Sequence, residues 1–538
     1  MFDVGSCRPR RAAATLLLLA GCAPAAREAG SPVLIGAPAE SAPAQPAPAQ
    51  PAQAQPPPAQ PTPPPAPAPD LYLDLPLSEA IERITSEPPL DLTHWGIQVY
   101  DPRRDRTLVC MNARKHFVPA SNNKLLVTTA ALELLGPDWR YVTEVDALGG
   151  TRPAPAALRV RAVGDPTMSE RFYPTELAAL DSIAAAVAAA GVRRIAGPIL
   201  VDASAFDSTL VMSAWEVGDL DWYYAAPVAA FGVSEGAIPL IVSPGATVGE
   251  PARIEFQGPP GLVAIRGEIV TIHPDSSDDW DVRRLPGDTL IFSGTLEADA
   301  DADEEWVAVD DPAAYGARAL RLALEAHGVR VDGGVLAVYD SAAAAGLADR
   351  FGAPRRVARI VSPPMSRIAQ AILEPSQNWI AEMVLKTLGR QTGRQGSWRG
   401  GLAAVDSFLV QTVGIDSLAF DLRDASGLSA QNLVTPGMIV DLLAWARLRP
   451  WGDLYLDALA APGEEESTLE HRLLAFEGRL FGKTGTIANV NSLSGYLVDD
   501  AGGELIFSIL TNGSGLPSSR IRDAMDRVVE RIAREGGR

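Results

Sequence analysis

Three short polar clusters hold residues whose types and spacing suit acyl transfer: Ser121-Asn122-Asn123-Lys124, Ser376-Gln377-Asn378 and Lys483-Thr484-Gly485. A serine hydroxyl is a weak nucleophile and needs a base within hydrogen-bond reach. Residues three apart share a helix face, so a helical turn through the first cluster would present Ser121 and Lys124 together. A buried lysine can lose its proton and act as that base, whereas arginine cannot. Lysine is scarce here: only Lys115, Lys124, Lys386 and Lys483 stand among 46 Lys and Arg residues, and two of the four fall in these clusters. Lys115 and Lys386 have Asn112 and Met383, not serine, three positions earlier.

Each of the other clusters has a chemical use. Lys483 would bring a second positive charge near Lys124, which depresses the pKa of the base. Thr484 can hydrogen-bond a substrate carboxylate, and Gly485 leaves room for substrate to lie along the strand. Ser376 offers a hydroxyl for proton relay, and Asn378 an amide for a substrate carbonyl.

The elements that position these groups can be read from periodicity. Trp95 to Asp101 alternates like a strand, Pro102-Arg-Arg-Asp is a turn, and Thr107 to Met111 returns. A helix is expected from Ser121 through Leu135, closed by Gly136-Pro137 and apolar on most faces, hence buried. A second should follow Ser376-Gln-Asn. Arg479–Ile487, Ser492–Val498 and Glu504–Leu510 read as three strands, and Ser518–Glu535 as an amphipathic closing helix. An antiparallel sheet built from both chain ends and flanked by helices is the expectation. The long middle, rich in Val, Gly, Pro and Asp, reads as one or two inserted, mainly β, domains. Its Asp299, Asp301 and Asp303 lack the glycine and terminal glutamate of a calcium loop, Glu304 and Asp310 standing there.

The order Ser-x-x-Lys, Ser-x-Asn, Lys-Thr-Gly is the signature of penicillin-recognising serine enzymes. The segments VPASNNKLLVTTAALELLG (118–136), VGDPTM (163–168), SQNWIAEMVLKTLG (376–389), DASGLSAQNLVTP (424–436) and GKTGTIANVNSLSGYL (482–497) resemble one branch. That branch is the low-molecular-mass class C penicillin-binding proteins, D-Ala-D-Ala carboxypeptidases and endopeptidases. The resemblance covers residues 71–538. It implies an α+β fold, with a β-lactamase/transpeptidase-like catalytic domain in two parts (71–145 and 355–538) around an insertion (146–354). Ser121 would be the acylated nucleophile, Lys124 its base, Ser376 and Asn378 groups for proton transfer and orientation, and Lys483 a catalytic cation. Thr484, Gly485 and Thr486 would bind substrate, with the N–H groups of Ser121 and Thr486 as oxyanion hole. Asp165 either faces the cleft as a further substrate-binding residue or forms a structural turn. Two departures stand out: Gln377 replaces a frequent Asp, and Asp424-Ala-Ser-Gly-Leu-Ser-Ala430 replaces the family's Asp-Gly-Ser-Gly-Leu-Ser-Arg.

The N-terminus and composition set the context. Arg8, Arg10 and Arg11 precede the apolar run Ala12–Ala20, and Leu19-Ala-Gly-Cys22 resembles a bacterial lipobox. Residues 1–21 are therefore expected to be a lipoprotein signal with Cys22 lipidated, an ordinary signal peptide being the alternative. Ala23 points to the outer membrane in a Gram-negative cell, with the enzyme in the periplasm. Residues 22–70, mostly Ala, Pro and Gln, are expected to be an extended tether reaching about 140 Å. With Cys7 removed and Cys22 lipidated, Cys110 would be a lone core thiol. The formal charge of −20 argues against nucleic acid. The five histidines show no ligand spacing, so no metal or cofactor is implied. Gly232-Val-Ser-Glu-Gly236 matches a nucleophile-elbow pattern, but the nearby Pro239 and Pro244 exclude the helix that motif needs. The expected activity is a serine DD-peptidase acting on peptidoglycan stem peptides and acylated by β-lactams. A non-catalytic wall-binding homologue, or a β-lactamase or esterase on the same scaffold, is the alternative.

Overall fold

The alternating strand patterns at the two ends of the chain pair with one another. The structure is a computed structural model that describes residues 72–150 and 154–535. The expected signal (1–21), Cys22 and the tether (22–70) lie outside the described residues. Of segment 11–74, residues 72–74 are described and form a turn.

In the unit that begins at Leu75, helix α1 (Leu77–Thr85) precedes a hairpin of β1 (His94–Asp101) and β2 (Arg106–Met111). A 3₁₀ turn, Ala120–Asn123, then runs into α2 (Lys124–Leu134). The chain leaves through β3 (Val142–Leu148), β4 (Ala157–Arg161), α3 (Ala178–Ala189) and β5 (Ile199–Asp202). Next come β6 (Ala237–Ser243), β7 (Arg253–Phe256), β8 (Ala264–Ile272), β9 (Asp279–Leu285), β10 (Thr289–Glu297) and β11 (Asp303–Ala308). Helix α4 (Pro312–Ala326), β12 (Val335–Val338) and β13 (Pro354–Val361) bring it back. The return half carries α5 (Met365–Leu373), α6 (Asn378–Gln391), α7 (Trp398–Ser407) and α8 (Pro436–Arg447). It ends with β14 (Leu480–Ile487), β15 (Val490–Val498), β16 (Glu504–Asn512) and α9 (Ser518–Ala533).

The sheet that holds the site has the order β14-β15-β16-β1-β2 and is antiparallel throughout. Trp95 pairs with Thr511 and Val99 with Phe507, so N- and C-terminal strands are central neighbours. Successive strand residues point to opposite faces. Eight of the nine residues of β15 are buried, so both faces are covered. Helix α8 packs on β1, β15 and β16, and α1 pairs with α9, which lies against β15. Strand β14 stays at the edge of the sheet, its outer side bonded to Ala460 at Gly482. Helix α2 is buried around its circumference through Leu125, Leu126, Val127, Ala130, Ala131 and Leu132.

The insertion leaves and returns through neighbouring strands: β3 pairs with β13, Val145 opposite Ala358 and Leu148 opposite Pro354. These strands join a mixed sheet of order β12-β5-β4-β3-β13, in which β4, β5 and β12 run parallel. The insertion also holds two three-stranded sheets, β9-β10-β8 and β11-β6-β7, and a short parallel pairing of Arg194–Ile195 with Arg330–Val331. Beside its sheets it carries two helices, α3 and α4, which pack on each other and against the mixed sheet. Asp311 caps α4 by accepting from the N–H groups of Ala313 and Ala314, with Pro312 in its first turn.

Cys110 departs from its expected role. It is half-buried on β2, not part of the core. The other two cysteines, Cys7 and Cys22, lie outside the described residues.

Candidate active site

The nucleophile sits on a tighter turn than expected. Ser121 belongs to the 3₁₀ segment, not to α2 itself, and Lys124 is the first residue of the helix. Three residues per turn place positions i and i+3 directly above one another, and Lys124 Nζ lies 2.8 Å from Ser121 Oγ. Ala120, just before the nucleophile, has φ of 47°, a conformation costly for a residue with a Cβ and characteristic of functional sites. The sheet holds this turn in place. Ser492 Oγ donates to the Pro119 carbonyl at 2.7 Å, and Asn512 bonds both the N–H and the carbonyl of Val118.

Lys124 is fully buried and donates to three acceptors: Ser121 Oγ, Asn378 Oδ1 at 2.6 Å and the Ser426 carbonyl at 2.9 Å. Burial lowers its pKa to about 7, against the opposing pull of Glu382 and Asp424. A base with that proton affinity is matched to neutral pH. On losing a proton Lys124 keeps two N–H donors for Asn378 and Ser426 and turns its lone pair toward the serine hydroxyl. Lys483 is also fully buried, with Nζ on the Thr484 carbonyl at 2.8 Å. Burial, and then repulsion from Lys124, holds it well below the usual lysine range. The depression of Lys124 thus comes from desolvation first, not from Lys483 as the sequence suggested.

Strand β14 passes directly beside the nucleophile. A Cβ on Gly485 would stand 2.7 Å from the Ser121 nitrogen, so glycine is what lets the strand approach. Thr484 is half-buried and donates to Thr468 at 2.8 Å. Thr486 is exposed, lines the cleft and is braced by Asn491 Nδ2 at 3.1 Å.

The Ser-x-Asn cluster opens α6 as expected. Ser376 lines the cleft with φ of 69°. Asn378 holds the base: Oδ1 accepts from Lys124, while Nδ2 donates to the Tyr224 carbonyl at 2.7 Å. Gln377 caps the helix by accepting from the Trp379 N–H at 2.6 Å. Its Nε2 donates to Glu235 Oε2 at 2.6 Å, and Glu235 also accepts from Arg171 at 2.7 Å. That accounts for the glutamine: an aspartate there would oppose Glu235 instead of donating to it.

Two carboxylates that sequence reasoning missed, or did not single out, organise the site from behind. Asp424 accepts from the N–H groups of Gly427 and Ser429, from Asn432 and from Trp215 Nε1 at 3.0 Å. Glu382 is fully buried and accepts from the N–H groups of Ala425 (3.0 Å) and Ser426 (2.7 Å) and from Trp398 Nε1 (2.8 Å). Its signal was present: a lone glutamate in the apolar run Trp379-Ile-Ala-Glu-Met-Val-Leu, one turn after Asn378. Glu235 was visible only as part of Gly232-Val-Ser-Glu-Gly236. That segment is no elbow: Ser234 and Glu235 have φ of 52° and 54°, and strand β6 follows instead of a helix.

A cleft of about 1150 Å³ opens at Ser121, lined by Ser376, Gln377, Asn378 and Thr486 on one side and by insertion residues such as Tyr223, Tyr224 and Trp306 on the other. Ala430 also lines it, so the second departure leaves the wall without a cation at that point. Asp165 is not brought there. It is buried, its Oδ1 accepts from the Thr167 N–H and hydroxyl, and burial raises its pKa to about 6, so it takes the structural-turn reading. Lys386 is structural as well, bonded to Asp207 at 2.9 Å and to the Thr209 carbonyl at 2.6 Å. Lys115 is exposed in a turn.

A serine whose hydroxyl meets a buried lysine of depressed pKa, beside an edge-strand Lys-Thr-Gly and a Ser-x-Asn loop, defines the penicillin-recognising class of serine acyl enzymes. The model of the D-Ala-D-Ala carboxypeptidase 3 (S13) family matches residues 77–533. The chain is 34% identical over 481 residues to a D-alanyl-D-alanine carboxypeptidase of Actinomadura sp. (strain R39), covering 86% of this chain and 85% of that one. It is 23% identical over 413 residues to D-alanyl-D-alanine carboxypeptidase DacB of Haemophilus influenzae, covering 75% and 82% respectively. The crystal structure of penicillin binding protein 4 (dacB) from Haemophilus influenzae superposes with a TM-score of 0.74 at 21% identity, over 84% of this chain and 99% of that one. This protein belongs to the D-Ala-D-Ala carboxypeptidase 3 family, a serine-type peptidase family, and has its α+β fold.

Proposed function

We propose that the protein removes the terminal D-alanine from peptidoglycan stem peptides, and opens D-Ala-diaminopimelate crosslinks by the same path, while tied to a membrane in the periplasm through Cys22. The observation that carries the reaction is the 2.8 Å contact between Ser121 Oγ and a lysine whose pKa is lowered to about 7. Neutral Lys124 takes the hydroxyl proton as Ser121 Oγ bonds to the carbonyl carbon of the penultimate D-Ala. The developing oxyanion is met by the N–H groups of Ser121 and Thr486. The C–N bond breaks, the leaving amine takes the proton, and an ester remains on Ser121. Water then attacks that ester, with Lys124 again accepting a proton, and releases the shortened peptide. Penicillin enters by the same first step.

The cleft supports a cationic substrate. Glu170, Glu176, Glu216, Asp219, Glu304 and Glu305 line it, and Arg171, the one cation lining it among the described residues, is engaged by Glu235 and Glu466. A stem peptide with a free side-chain amine fits that field. Purified muropeptides test the reading: loss of D-alanine from pentapeptides is expected, with conversion of crosslinked dimers to monomers if crosslinks are opened. Unchanged pentapeptides would refute the carboxypeptidase reading, and unchanged dimers the crosslink part. For the anchor, Cys22→Ser should move the protein from the membrane pellet to the soluble periplasmic fraction; continued pelleting would count against lipidation.

A further inference from the structure

We propose that Glu382 is a positioning residue for the catalytic base: as an anion it clamps the Ala425–Ser426 peptide so that the Ser426 carbonyl holds Lys124 with its lone pair turned to Ser121. The proposal rests on the serine–lysine acylation described above. Its geometry is a continuous set of contacts. Glu382 Oε1 accepts from the Ser426 N–H at 2.7 Å and the Ala425 N–H at 3.0 Å, and Oε2 from Trp398 Nε1 at 2.8 Å. The same Ser426 residue presents its carbonyl to Lys124 Nζ at 2.9 Å. These three N–H groups all donate to the carboxylate, and the Ser426 hydroxyl bonds it as well, a set of partners that suits an anion. Asn378 and Glu382, four apart on α6, thus grip the lysine from two directions, one directly and one through Ser426.

The surrounding charges fit this role. Lys124 faces Glu382 and Asp424, and Lys483 lies near enough to feel its charge. Burial, and then repulsion from Asp424, pushes the Glu382 carboxyl up from its ordinary range, against the pull of the Ser426 hydroxyl and N–H and of the Trp398 N–H. Lys386 stands one turn beyond Glu382, 3.8 Å from the centre of the Trp398 ring, and is itself paired with Asp207. The negative charge of Glu382 favours the protonated form of Lys124. Removing that charge therefore lowers the pKa of the base and moves the acid limb of acylation to lower pH. Two effects should appear together: a looser base and a more acidic limb.

The test is the second-order rate constant for acylation of the full chain by a fluorescent penicillin, measured from about pH 5 to 9. The wild-type rate should rise through a pH of about 7. In Glu382→Gln one oxygen becomes an NH₂ facing N–H donors. Its plateau should fall about 10- to 100-fold, and its acid limb should move down by about 1 on the pH scale. Trp398→Phe, which removes one donor but keeps the carboxylate, should move the limb the same way by less. A lower plateau with the limb unmoved in both variants would show that Glu382 only packs, and an unchanged plateau in folded Glu382→Gln would overturn the proposal outright. Wild-type protein that takes no penicillin would instead refute the underlying acylation.

Discussion

Lys124→Arg should lower the rate of acylation by penicillin by about 10³-fold or more, the scale of a lost general base. The basis is proton affinity together with space. The lysine is fully buried, its Nζ is shared among Ser121, Asn378 and Ser426, and desolvation brings its pKa to about 7. Arginine stays charged at any pH the fold survives and offers no lone pair to the serine hydroxyl. Stopped-flow acylation with a reporter β-lactam, alongside a thermal melt, separates the outcomes. A folded Lys124→Arg protein that acylates at the wild-type rate would remove Lys124 from the role of base.

Gly485→Ala should cost about 10²- to 10³-fold in kcat for D-alanine release, with a smaller effect on stability. An added Cβ would stand 2.7 Å from the Ser121 nitrogen and 3.1 Å from the Ala120 Cβ, so strand and nucleophile turn must separate. That separation pulls apart the two N–H groups assigned to the oxyanion, and loss of one such donor has this magnitude. The fold should tolerate the shift, because β14 is an edge strand paired only with β15 in its sheet; overpacking of this kind costs about 1–3 kcal/mol. Turnover of a stem pentapeptide and the melting temperature, measured on one preparation, check both halves. Full activity would mean that the strand and the turn need not meet.

The parts legible in the sequence were those in which local pattern and chemistry coincide. The Ser-x-x-Lys turn, the Ser-x-Asn helix start and the Lys-Thr-Gly strand stand where their spacing placed them, and the terminal strands match within two residues. The cause of the lysine's depressed pKa was not legible, because burial of Nζ is a property of packing; spacing suggested Lys483, whereas desolvation dominates. Glu382 and Glu235 were missed for a related reason: their partners lie 16 to 142 positions away, and no local period reports such contacts. Asp165 shows the converse, a motif residue whose carboxylate folds back on Thr167 two positions on. The helices of the insertion could have been read. Asp311-Pro312 is a start signal, and the alanine-rich run from Ala178 ends near Gly191, but the surrounding Val, Gly and Pro suggested strands.

The most direct test of the central claim is to treat the purified chain with benzylpenicillin, digest it and locate the adduct by mass spectrometry. One penicilloyl group per chain, on the peptide containing Ser121 and absent in Ser121→Ala, is the predicted result. Folded protein with no adduct, or an adduct on another residue that persists in Ser121→Ala, would contradict it.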